Sequence, residues 1–383
     1  MRTALMIGSI GSFFNLYQLQ ALFPQLVGRF GTTVTEAGWL NMASLLGMMI
    51  TAPIAGAATK YSNPSTVLIF GFLALAALNA SIVLTTSQYL LFALRIGQGV
   101  VIPFLLTSTM NLVSTRPGSF VPLYVTGTIV GSTFSRLYPA WSVDAIGWEL
   151  GFLSSACLMA LSAMIIHLLL NVSGAESAGG LERHQSPMAY AKRAFSDSTL
   201  LVAYLAGFAL LFTQSAVFTV LGLWLSQEPY FWDSERIGTL YLACLPALFF
   251  VLGARFFRRY ATEAVITASL IFLIWVSLWI IGETGISIIV GVALFASGTY
   301  MFQTVTTQLL NNSRLVPAGV ATGIYLSFYY LGGALGASLA AYVFAIWGWS
   351  GVIICIAMTQ AFILCLVLFV RYRPTRLPWK AGA

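Results

Sequence analysis

Two arginines stand where charge is expensive. The stretch Arg95-Ile-Gly-Gln98-Gly99 opens an apolar run, and the chain returns through Tyr124, Gly127 and Gly131 to Arg136 inside a second one. A charged side chain in a membrane helix costs roughly 2.5–3.5 kcal/mol on insertion scales, so such residues face a cavity and mark a pathway. The two runs point in opposite directions, and at about 1.5 Å per residue both arginines lie about 10 Å below the same membrane face. Two cations at one depth repel unless an anion or a water-filled space lies between them. The chemistry this pair suits is recognition of an anionic or zwitterionic group, because a guanidinium can grip a carboxylate through two parallel hydrogen bonds.

Other polar residues interrupt apolar runs in the same way. Asn15 and Gln18 are three apart and share a helix face, with Tyr17 and Gln20 beside them. Gln214, Gln303 and the pair Tyr325 and Tyr329, one turn apart, are further candidates to line a ligand path. Each has a plainer role open to it: polar side chains join helices in membranes, and Arg95 can bond to the backbone carbonyls of a neighbouring helix. Gln98, one turn from Arg95, shares its network. The middle of every span lacks Asp and Glu, which leaves Glu36 and Glu149, at span ends, as the acids that could couple transport to protons; otherwise the cargo carries the proton itself.

The elements that must hold these residues are membrane helices. Of 383 residues, 59% are hydrophobic and 8% charged, against roughly half and a quarter in soluble domains. Apolar stretches of about 20 residues, each able to cross a bilayer of about 30 Å, recur from end to end. They predict twelve spans, near 3–27, 36–58, 66–86, 88–110, 120–142, 148–171, 197–224, 236–254, 262–281, 284–309, 318–343 and 348–370. The fold class is an all-α membrane protein with two pseudo-symmetric six-helix bundles, 1–171 and 197–383, joined by a cytoplasmic linker at 172–196. The spans near 66–86, 148–171, 262–281 and 348–370 carry few polar groups and read as lipid-facing supports.

Basic residues set the orientation. With both termini in the cytoplasm, the outer loops hold only Arg29 and Arg236 as cations, together with most of the acids. Topology thus accounts for the net charge of +7, and no nucleic-acid partner is needed. Cys157, Cys244, Cys355 and Cys365 follow no disulfide or metal spacing, and two histidines are too few for a metal centre. No metal, cofactor or catalytic residue is expected, and a membrane-embedded enzyme is disfavoured for want of a nucleophile with its base.

The halves repeat one another. An offset of 201 places Tyr124 on Tyr325, Gly131 on Gly332 and Gly147-Trp148 on Gly348-Trp349, while an offset of 200 places Glu36-Ala-Gly38-Trp-Leu40 on Arg236-Ile-Gly238-Thr-Leu240. Arg136 falls on Ala337, so that arginine belongs to one half alone. A duplicated six-helix unit is the parallel repeat of a two-half transporter with its site at the interface.

Arg95-Ile-Gly-Gln98-Gly99 matches the R-x-x-Q-G signature of the fourth span in the major facilitator superfamily, which the chain resembles over its whole length. Leu22-Phe23-Pro24-Gln25-Leu26 with Glu36-Ala37-Gly38 is similar to that family's first outer turn, and Tyr325 to Gly333 with Trp347-Gly348-Trp349 resembles its YnfM-like branch of drug, sugar and metabolite exporters. Two departures stand out. The loop G-x-L-a-D-R-x-G-R-R reads here Gly56-Ala-Ala-Thr-Lys60-Tyr-Ser-Asn63-Pro64, without the acid and the basic pair, and Ser135-Arg136 replaces an antiporter Gly-Pro. The resemblance implies alternating access in a bacterial inner membrane, protons and a small organic molecule as partners, a monomer, and a coupling or gating role for Arg95. The expectation is export of an anionic or zwitterionic molecule such as a siderophore, metabolite or drug, with import of an organic anion as the alternative.

Overall fold

Helix ends are written in the sequence as capping residues. In a computed structural model that describes residues 2–59, 62–114, 121–171, 193–253, 263–282, 284–312 and 318–372, Thr33 starts a helix by accepting the Glu36 amide while the Glu36 carboxylate accepts the Thr33 amide. This reciprocal capping box satisfies two of the backbone donors a helix start leaves bare. Asn63, ahead of Pro64, and Asp233 cap two further helices.

The helices are α1 (Arg2–Phe14), α2 (Phe23–Phe30), α3 (Val34–Ala58), α4 (Pro64–Val83), α5 (Gln88–Ser114), α6 (Val121–Asn171), α7 (Ser198–Leu225), α8 (Ser234–Leu240), α9 (Ala247–Leu252), α10 (Glu263–Ile280), α11 (Gly285–Asn312) and α12 (Ala318–Tyr372). Among the described residues there is no strand, and eight stretches are long and apolar enough to cross a membrane. Two of the eight are 44 and 46 residues long. Each is broken once, at Gly147 (φ 83°) in α6 and Gly348 (φ 62°) in α12, the left-handed region that glycine enters without steric cost. The two glycines are the pair the repeat aligned.

Two expected spans are not continuous helices. The first, 3–27, ends its helix at Phe14 and turns through residues 15–21 before α2 begins. Asn15, Gln18 and Gln20 lie in that turn, and Asn15 is of the type whose short side chain competes with the helical ladder. The eighth, 236–254, is α8, a single tight 3-10 turn at Tyr241–Cys244, and α9, with Pro246 between the last two. The expected linker at 172–196 falls mostly outside the described residues.

Glycines let backbones meet. A Cβ on Gly99 of α5 would lie 2.0 Å from the Ser44 carbonyl of α3, and one on Gly131 of α6 would lie 2.5 Å from the Ile10 carbonyl of α1. In the second half a Cβ on Gly332 of α12 would lie 2.2 Å from the Phe208 carbonyl of α7, so the repeat-related glycines do the same work. Between the halves two seams match as well. Gly38 of α3 lies against Ala341 and the Ala337 carbonyl of α12, while Gly238 of α8 lies against Ala140 and the Arg136 carbonyl of α6. Close packing of small residues is the main attraction available to helices inside a membrane.

Candidate functional site

The break after Phe14 is where the first arginine is used. Carbonyls freed from a helical ladder inside a membrane must find other donors. Arg95, on α5 and fully buried, donates to the Asn15 carbonyl at 2.7 Å, to the Leu16 carbonyl, to Gln98 Oε1 at 2.6 Å and to Ser44 Oγ at 3.0 Å. Gln98 Nε2 in turn donates to Asn79 Oδ1 at 3.2 Å and to Gln18 Oε1 at 3.4 Å, and Asn79 Nδ2 donates to Asn15 Oδ1 at 2.6 Å. Asn15, Gln18, Arg95 and Gln98 therefore form one buried network. Asn79 and Ser44 complete it and escaped the sequence reading. Asn79 corrects the view of the third span as a plain lipid-facing support: one amide in an apolar run was the available signal. The carbonyl-bonding alternative for Arg95 is the geometry found.

Arg136 lies elsewhere, at the boundary between the halves. Its Nε donates to Gln20 Oε1 and its Nη1 to the Ser132 carbonyl, both at 2.6 Å. Three rings face the guanidinium carbon: Tyr17 at 4.1 Å, Phe218 at 4.8 Å and Tyr241 at 4.8 Å. Tyr17 and Gln20 come from the turn after α1, whereas Phe218 belongs to α7 and Tyr241 follows α8, so both halves build the cage. Each ring face attracts a cation electrostatically, by about 0.5–2 kcal/mol depending on solvation. The Tyr241 hydroxyl is anchored on the Phe218 carbonyl at 2.9 Å, and Gln20 Nε2 reaches Thr219 Oγ1 at 3.5 Å. Arg136 is 2% exposed. Among the described residues the one ion pair joins Arg29 to Glu149 at 2.7 Å, so neither embedded arginine has a carboxylate partner there.

Next to the cage is a group of phenols, buried except for half-buried Tyr300. Tyr300 of α11 shares a hydrogen bond of 2.7 Å with Ser132 Oγ, and Gln214 of α7 also faces its hydroxyl. Tyr17 and Tyr300 lie within electrostatic reach of Tyr329, which stacks on Tyr325 at 5.7 Å and meets Tyr330 edge-on at 5.4 Å. The structure thus brings Arg136, Gln214, Tyr325 and Tyr329 into one region, through Tyr17, Gln20 and Tyr300. Those three linking residues come from broken or polar-flanked stretches, but nothing in their spacing tied them to Arg136. Tyr325 Oη is buried without a hydrogen-bond partner. Gln303 is half-buried one turn beyond Tyr300.

The two acids stand apart from both clusters. Glu36 accepts from the Thr33 amide and hydroxyl and from Gln88 Nε2 at 2.7–2.8 Å, and Glu149 holds Arg29 beside Trp148.

Comparison with known proteins agrees with this architecture. The family model of the Major Facilitator Superfamily matches residues 5–337, and the chain belongs to that family. A Buchnera aphidicola protein named an uncharacterized transporter is 21% identical, with 96% of this chain and 88% of that protein covered. A chloramphenicol resistance protein of Streptomyces lividans is 24% identical, covering 90% and 91% of the two chains. The solved structure of a point mutant of the nucleoside transporter NupG superposes with a TM-score of 0.75 at 13% identity, over 97% of this chain and all of that one. The protein is a secondary transporter of the lipid bilayer that acts on small molecules, and not an enzyme.

Proposed function

We propose that this transporter exports a small anionic or zwitterionic organic molecule with a flat or aromatic portion, by alternating access coupled to protons. The observation that carries the reading is Arg136. It is a buried cation at the junction of the halves, caged by rings and amides, with no carboxylate to neutralise it among the described residues. An anionic cargo supplies the missing charge, and the phenols of Tyr17, Tyr300, Tyr325 and Tyr329 suit a ring beside it. Siderophores, metabolites and drugs with a carboxylate fit this description. The name of the Streptomyces relative puts chloramphenicol on the panel as a neutral comparator.

The spans number twelve on this reading. α1 with α2 and α8 with α9 each make one interrupted span, α6 and α12 each make two, and α3, α4, α5, α7, α10 and α11 make one apiece. The bundles are 1–171 and 197–383, with both termini in the cytoplasm of a bacterial inner membrane. Cysteines at Ser177 and Phe231 should then label from opposite faces. Since Glu36 is engaged as a cap and Glu149 as an ion-pair partner, neither is assigned the coupling proton, and Arg95 and Gln98 hold the broken first span that must move.

Metabolite profiling of medium and cells, with the gene deleted and overexpressed, tests the proposal. Carboxylate-bearing compounds should accumulate inside the deletion strain, and Arg136→Ala should reproduce the deletion while still reaching the membrane. A preferred cargo that is a permanent cation, or normal export of an anion by Arg136→Ala, would overturn it.

A further inference from the structure

The two seams between the halves are alike in backbone and unlike in chemistry. In one, Gly238 lies under Ala140 and the Arg136 carbonyl; in the other, Gly38 lies under Ala341 and the Ala337 carbonyl. The offset of 200 that relates Gly38 to Gly238 also places Asn41 on Tyr241, and the offset of 201 that relates Ala140 to Ala341 places Arg136 on Ala337. In the first seam the Arg136 guanidinium lies 4.8 Å from the Tyr241 ring. At the equivalent place the second seam has an asparagine and an alanine.

Asn41 is 3% exposed, and neither its Oδ1 nor its Nδ2 has a hydrogen-bond partner. Nothing local serves it. Gly38, one turn before, has no side chain, and Ser44, one turn after, gives its hydroxyl to the carbonyls of Leu16 and of Asn41 itself. Ala337 and Ala341 across the seam carry no polar side-chain atom. Native interiors pair the great majority of buried polar groups, and each bare one calls for an explanation. Valine, closer in volume than leucine, would fill this position without stranding a donor and an acceptor. A second bare group lies nearby in the fold: Gln18 Nε2 is buried and unpartnered in the turn whose Leu16 carbonyl receives Ser44.

We propose that Asn41 is a cargo-binding residue, its carboxamide taking an uncharged donor–acceptor group of the cargo, such as an amide, hydroxyl or protonated acid. This rests on the reading that cargo passes between the halves. The repeat would then have diverged so that one seam recognises charge through Arg136 and the other recognises hydrogen-bonding shape through Asn41.

The test needs no identified cargo. In a full-length background with Cys157, Cys244, Cys355 and Cys365 replaced by alanine, Asn41→Cys and Leu45→Cys are exposed to sulfonatoethyl methanethiosulfonate, a small membrane-impermeant anion. Leu45 is the control, one turn away and 1% exposed. Position 41 should react about tenfold faster or more, the ratio equivalent to about 1.4 kcal/mol of easier access. Independently, Asn41→Val should not lower the melting temperature of the purified protein, because it removes an unpaired buried amide and no bond. Equal reactivity at 41 and 45, or a lowered melting temperature for Asn41→Val, would show an amide that serves the fold and would overturn the proposal. Export of a carboxylate by the wild type reads the proposed function separately, so that the two failures can be told apart.

Discussion

Arg95→Met is the change whose consequence can be worked most fully from the structure. The wild-type guanidinium serves four acceptors: the carbonyls of Asn15 and Leu16, Gln98 Oε1 and Ser44 Oγ. Methionine fills similar space and donates nothing. The Ser44 hydroxyl still reaches the Leu16 carbonyl at 3.4 Å, but the Asn15 carbonyl and Gln98 Oε1 lose the only donor found for them. Leaving buried acceptors bare costs about 1–3 kcal/mol each, or about 2–6 kcal/mol for the two. Release of the cation's own desolvation cost offsets part of this. The remainder is a large share of a total stability of about 5–15 kcal/mol. Purified Arg95→Met should therefore melt well below the wild type in detergent and lose its monodisperse elution peak. Arg95→Lys should fall between them, since an ammonium keeps the charge but cannot span the same acceptors. A wild-type melting curve for Arg95→Met would refute the claim that this arginine holds the broken first span.

Three further outcomes follow from the same geometry. A side chain on Gly38 has no room, since its Cβ would come 2.4 Å from that of Ala341; Gly38→Trp should hold the seam apart, seen as faster thiol labelling of Ala341→Cys. Replacing Glu36 by alanine removes the capping box of α3 and should lower stability by about 1 kcal/mol, read as a shift in the thermal midpoint. With a carboxylate cargo in proteoliposomes, Glu36→Gln and Glu149→Gln should both keep the response to a pH gradient, and loss of it in either would place coupling on that acid.

What the sequence revealed, and what it concealed, has a physical pattern. Membrane spans were legible because an apolar run of bilayer length has few alternative uses. The repeat was legible because glycines that permit backbone contact or a left-handed turn are hard to replace: Gly131 and Gly332, or Gly147 and Gly348, keep their spacing through duplication. The network of Asn15, Gln18, Arg95 and Gln98 could be guessed as polar residues in apolar surroundings. Which of them touch could not, because Asn79 and Ser44 are separated from Arg95 by 16 and 51 residues and announce themselves by no spacing. The interruption of the first span was hidden for a related reason. Asn15 to Gln20 carries three amides but sits in an apolar run of span length, and only donors supplied from α3 and α5 make the unwound form stable. The aromatic cage of Arg136 was the least legible of all, since Phe218 and Tyr241 are ordinary packing residues until the second half brings them to the arginine.

That division of the cage between the halves has a mechanical consequence. Under the proposed alternating access, Arg136, Tyr17 and Gln20 move with the first half, and Phe218, Thr219 and Tyr241 with the second. Separating the halves at this seam must pull the guanidinium away from two rings. A cargo can shift the balance between two arrangements only by binding one better than the other. An anion meeting Arg136 supplies that difference if it replaces the ring contacts as they are lost. Phe218→Ala removes one of these two rings, together with its packing on Tyr241 and Phe295, without touching a hydrogen-bonding side chain, for the Phe218 carbonyl that receives Tyr241 remains. One buried cation–ring contact is worth about 0.5–2 kcal/mol, so the closed arrangement should lose about twofold to thirtyfold in population relative to the open one. Thiol labelling of Ala140→Cys, fully buried beneath Gly238 in the closed seam, measures that population directly. The labelling rate should rise with Phe218→Ala and rise again, in the wild-type cage, on addition of a carboxylate cargo. If Phe218→Ala leaves the rate unchanged, the rings are packing for a static arginine, and the cage takes no part in the opening of the halves.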